Sequence, residues 1–179
     1  MTYATNGKPT DKWAFLLPPG WARFPTPGTG VVYLPTEPMA GIAVPASIIE
    51  TELFGVVGRS ATEVAESILG EVQESTAVDV DGRPGARLAS TLMETPRAAG
   101  RSAAGTRQVT YVVSRDEAAG DWLVLSFSST FSTGPDSGSS ERLADTLVAF
   151  FDAVMTTFRW TGPGADPVSL PERTIPGSA

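Results

Sequence analysis

Between residues 77 and 129 four short runs alternate apolar and polar residues, with turn signals between them. That pattern restricts the chain to an antiparallel sheet built from hairpins. AVDV at 77–80 runs into Asp81-Gly82, a pair that favours a tight hairpin turn. GARLASTLME at 85–94, TRQVTYVVS at 106–114 and WLVLSFSS at 122–129 follow, joined by the loops TPRAAGRSAAG and RDEAAGD. Period-two spacing makes Leu88 and Leu92, then Val109, Tyr111 and Val113, then Leu123, Leu125 and Phe127 the expected core faces. The alternate positions include Met93, Val112, Trp122 and Val124. That is too apolar for a face left to water, so both faces of the sheet are expected to be covered.

Helices on both sides would supply the cover. Ser60 and Glu63 have capping-box spacing, and Val64, Ile68 and Val72 follow as a stripe flanked by Ala65 and Leu69. This helix is expected to end between Gly70 and Glu74. A second stripe runs through Leu143, Leu147, Phe150, Phe151, Val154, Met155 and Phe158, with Ser139 or Ser140 as its cap. Arg142, Asp145 and Asp152 interrupt it, so it reads as a core helix and not as a bilayer anchor. Phe151 and Phe158 are expected to be buried. Upstream, WAFLL (13–17) and WARF (21–24) flank Pro-Gly and read as paired short strands; VVYL (31–34) is a further strand. IAVPASIIETEL (42–53) is strand-like, with Pro45 marking a start, an edge or a bulge. The expected organisation is one α+β domain over 12–162, an antiparallel sheet flanked by helices on both faces. Flexible tails are expected over 1–11 and 163–179.

The chain has 179 residues and neither His nor Cys. Ser-His and Cys-His nucleophiles, disulfides and most zinc sites are thereby excluded. No catalytic, cofactor-binding or metal-binding residue is expected, and the protein reads as non-enzymatic. Two carboxylate patterns were weighed against that reading. Glu50 and Glu52, two apart on one strand, could act as acid and base; more often such a pair is solvated. Asp79, Asp81 and Gly82 resemble the opening of a calcium loop without its remaining ligands, and a hairpin turn explains them. A net charge of -7 argues against nucleic-acid binding. No apolar run reaches the ~20 residues that span a bilayer, and no signal-peptide pattern opens the chain, so a cytoplasmic protein is expected.

Charge is unevenly spread. Residues 83–115 hold six arginines and one acid, whereas residues 37–81 hold nine acids and one arginine. Such asymmetry can orient a charged partner, or the two regions can pair with each other inside the fold. The candidate partner-binding residues are Arg87, Arg97, Arg101, Arg107 and Trp122. Arg97 and Arg101 fall in a Gly/Ala-rich loop suited to capturing an acidic segment.

The order of these elements, with the motifs WAFLLPPGW, ASIIETEL and a terminal FDAVMTTFRW helix, resembles the PsbP-like superfamily. That group includes the Ran-binding Mog protein, the DcrB and LpqN-type lipoproteins and the Eag chaperones of type VI secretion. The resemblance spans about residues 13–160. It implies an antiparallel sheet with helices on both faces and, for function, binding without catalytic residues. The chain departs from the lipoprotein members in lacking a lipidated Cys. The expected function is therefore a protein-binding module, such as an adaptor, secretion chaperone or immunity-type protein. Its partner would be a protein presenting an acidic or amphipathic segment, and the module would be a monomer or homodimer. A binder of a small amphiphile between sheet and helix is the alternative, and a carboxylate-dependent hydrolase a third.

Overall fold

The structure is a computed structural model, and it describes residues 2–6, 12–26, 30–38, 41, 43–69, 74–94, 103–133 and 138–161. Ten strands form two antiparallel sheets. The larger contains β3 (Trp21–Thr26), β4 (Gly30–Pro35), β5 (Ala46–Leu53), β6 (Glu74–Val80), β7 (Arg83–Met93), β8 (Ala103–Asp116) and β9 (Asp121–Thr133). Their order is β3-β4-β5-β9-β8-β7-β6, so the β6–β9 meander returns to lie beside β5. The smaller sheet has β2 (Lys12–Leu17) at its centre, between β1 (Thr2–Asn6) and β10 (Arg159–Thr161).

The hairpin turns form as their residues require. Asp81 and Gly82 both have positive φ, 52° and 80°, the backbone that a two-residue β-turn needs. Asp79 Oδ1 accepts the Gly82 N–H at 2.8 Å, which accounts for the aspartate without a metal.

Each face of the large sheet has its own helix. On one face, here the front, α2 (Gly138–Met155) lays Leu147, Phe151, Val154 and Met155 onto Val109, Tyr111, Val113, Leu123, Leu125 and Phe127. Phe127 and Phe151 stack at 5.2 Å. The β2 residues Trp13, Phe15 and Leu17 close the same core. On the other face, the back, α1 (Ala61–Leu69) packs Ala61, Val64 and Ala65 against Ala86, Leu88, Val112, Trp122 and Val124. The apolar second face thus has its physical explanation, and the antiparallel sheet with a helix on either side is the architecture. The capping box is formed: the Ser60 N–H donates to Glu63 Oε2 at 2.7 Å, and the Glu63 N–H donates to Ser60 Oγ at 3.3 Å.

Four expectations change. WAFLL and WARF do not pair, because β2 pairs with β1 and β10 while β3 pairs with β4. The N-terminal tail expected over 1–11 contains a strand, with Thr2–Asn6 in register with Trp13–Leu17. The terminal helix stops at Met155 and does not continue through TFRW. Thr157 Oγ1 there donates to the Val154 carbonyl and accepts the Leu16 N–H, so the chain turns into β10. Ile68 and Leu92 are exposed instead of buried. Phe151 and Phe158 are fully buried. Residues 162–179 and the end of the first expected helix at 70–73 lie outside the described residues.

Candidate functional site

The arginines of the large sheet all fall on its front face. Arg23 is in register with Tyr33, and Arg87 is opposite Tyr111. Arg107 and Arg83 share a parity with the front-facing Val109 and Gly85. Arg87 grips Asp152 of α2 through two hydrogen bonds, at 2.9 and 2.8 Å, and Tyr111 donates to the same carboxylate at 2.8 Å. The Asp152 carboxylate raises the Arg87 pKa further. Arg107 reaches Asp145 at 2.8 Å, Glu141 at 2.9 Å and Thr91 at 2.7 Å, with its guanidinium over the Phe131 ring. Arg115 pairs with Glu52 at 3.1 Å, and Arg83 stacks 3.9 Å above the Trp160 ring.

These contacts give the arginines of the basic hairpin partners inside the fold. Arg87 and Arg107 fasten α2 to the sheet and are not available as a free cationic surface. Trp122 is buried on the back, its Nε1 donating to the Val56 carbonyl at 3.0 Å. Arg97 and Arg101 lie outside the described residues. The signal for Arg107 was in the sequence, since it alternates in phase with Val109, Tyr111 and Val113, which face the core.

Glu50 and Glu52 do share a face but have different surroundings. Glu50 is 1% exposed and accepts the Tyr33 hydroxyl at 2.6 Å. Burial, with Glu50 adjoining, pushes the Tyr33 pKa well above its usual range. Glu52 belongs to Arg115. Glu50 is buried and held by a phenol, whereas Glu52 is partly exposed and held by a guanidinium, so each carboxylate has a structural partner. Among the described residues no group of Asp and Glu is arranged to hold a metal ion.

Concave features among the described residues include two that could take a ligand. A cleft of about 260 Å³ lies between α2 and the sheet, where Ala89, Val109 and Val148 meet Arg107, Asp145 and Glu74. Small-molecule sites run from roughly 300 Å³ upward, so this cleft is small for an amphiphile, and three charged side chains line it. A wider depression lined by Gly58, Arg59, Ser60, Glu117 and Ala118 is open to solvent and polar.

The back face offers a different feature. α1 packs on β6, β7 and β8. On β3, β4 and β5 the same face shows Phe24, Val32 and Ile49 in one continuous row. Phe24 is 44% exposed, Ile49 40% and Leu34, on the same side, 38%. Four large apolar residues side by side on an open sheet are a surface that water disfavours. Sequence reasoning missed them, because strand periodicity assigns apolar residues to a face but does not say how far a helix will reach across it.

No family model matches the chain, and no curated protein matches it in sequence. Solved structures do match. LpqN of Mycobacterium tuberculosis, involved in cell envelope biogenesis, superposes with a TM-score of 0.52 at 14% identity, covering 89% of this chain and 90% of that one. A Mog1 mutant gives 0.51 at 16% identity over 89% and 96%. The Saccharomyces cerevisiae Ran-binding protein Mog1p gives 0.50 at 14% identity over 82% and 89%. The chain therefore shares the fold of LpqN and Mog1, as the resemblance read from the sequence implied.

No helix among the described residues is long and apolar enough to cross a membrane.

Proposed function

We propose that this protein is a non-enzymatic protein-binding module of adaptor, secretion-chaperone or immunity type. The observation that carries the reading is the open apolar row of Phe24, Val32 and Ile49 beside Leu34 on the back of the sheet. A stable fold gains nothing from leaving such a row in water, whereas a partner that covers it gains buried apolar area. One of the similar solved structures, Mog1p, is a Ran-binding protein. Because Arg87, Arg107 and Arg115 have internal partners, the back face is the interaction surface this reading favours. The amphiphile reading has less support, because the cleft beside α2 is small and three charged side chains line it. Co-purification from the native host followed by mass spectrometry tests the proposal. A stoichiometric protein partner is the expected result. An extracted small molecule with no protein partner would overturn it.

A further inference from the structure

Charge is segregated between the two faces of the large sheet. Arg23, Arg83, Arg87, Arg107 and Arg115 all belong to the front, as their registers and contacts show. Among the described residues the strands place no cation on the back. That face carries Asp79 and, just past β7, Glu94, and α1 adds the exposed Glu63 and Glu66. Arg59, immediately before α1, is the basic residue beside them.

Between the apolar row and α1 runs a strip of small hydroxyl residues. Ser126 bonds Thr110 at 2.9 Å, and Ser128 bonds Ser47 at 2.9 Å. Their hydroxyls satisfy one another, so an apolar side chain laid over them leaves no polar group stranded. Low side chains flanked by a helix and by large apolar residues make a shallow bed.

We infer that this bed docks a basic amphipathic helix of a partner protein, its apolar stripe on Phe24, Val32, Leu34 and Ile49 and its cations toward Glu63 and Glu66. The inference rests on the binding-module reading and names the chemistry of its partner. Charge decides among occupants. An anionic membrane or a nucleic acid would be repelled by the acids of this face. A helix with one apolar and one cationic side complements both features at once.

The test uses the full chain with two labelled helical peptides of identical pattern, one of leucine and lysine and one of leucine and glutamate, followed by fluorescence anisotropy. The Leu/Lys peptide binds, and the Leu/Glu peptide does not. Ile49→Asp and Phe24→Asp each weaken binding by about tenfold or more, while circular dichroism shows both variants folded. Glu66→Gln weakens it by roughly threefold. Ala149→Lys changes net charge equally on exposed α2 and leaves binding unchanged. Equal affinity for both peptides, no binding of the Leu/Lys peptide, or equal loss in Glu66→Gln and Ala149→Lys would each overturn the inference. A co-purified partner whose amide-exchange footprint avoids β3–β5 would sink this inference and leave the binding-module reading intact. Absence of any protein partner would remove that reading itself.

Discussion

Asp152 accepts three hydrogen bonds from the sheet, two from Arg87 and one from Tyr111. Removing one partner of a buried ion pair costs about 3–5 kcal/mol. The Arg87 side chain is 18% exposed and that of Asp152 33%, so solvent screens part of the loss. Asp152→Ala is expected to destabilise the protein by about 2 kcal/mol in chemical denaturation. Asp145→Ala, at a carboxylate 56% exposed, is expected to cost less than about 1 kcal/mol. The two buried phenols make a second expectation. Tyr33 and Tyr111 both have pKa values raised above 10.0, first by burial and then by Glu50 and Asp152 respectively. A raised folded value means the unfolded chain loses these protons first, so stability is intact below pH 10 and falls as pH rises beyond it. Tyrosinate absorbance from these two residues should appear together with unfolding, and Tyr33→Phe and Tyr111→Phe should each remove one such late phenol. Titration of both at their usual pH in folded protein would contradict their burial. At this scale the sequence revealed the uneven charge but not its target, because the carboxylates that Arg87 and Arg107 hold are 65 and 34 residues away along the chain.

α2 shows what helical periodicity can and cannot deliver. The stripe through Leu147, Phe151 and Val154 was readable, and these residues are buried. Phe151→Ala is expected to cost about 3–5 kcal/mol in thermal or chemical melts; below about 1 kcal/mol the packing described here would be wrong. The end of the helix was not readable, because Phe158 continues the spacing although it sits past the last helical turn. A tertiary contact, Thr157 with the Leu16 N–H, competes with helix continuation and wins. At the other helix, Ser60→Ala removes the cap of α1 and is expected to lower stability by about 1 kcal/mol. The order and pairing of the meander were legible, since each of its strands pairs with a sequence neighbour. The placement of β2 was not, because its partner β10 lies some 145 residues onward and only three residues long.

Across the whole molecule the two faces of the large sheet divide the work. The front is closed by α2 and by the small sheet, and Arg87, Arg107 and Arg115 are held there by internal carboxylates. Among the described residues the back is covered by α1 and by Leu53 and Val56, and β3–β5 present exposed apolar residues there. The sequence anticipated that both faces need cover, but it could not show that a nine-residue helix is too short to provide it. The measurement that bears most directly on the account is retention of the co-purifying partner by Ile49→Asp protein and by Asp145→Ala protein, at equal folded concentration. The account expects Ile49→Asp to lose most of the partner and Asp145→Ala to keep it. Equal retention by both, or greater loss from the front-face variant, would contradict the assignment of binding to the open back of the sheet.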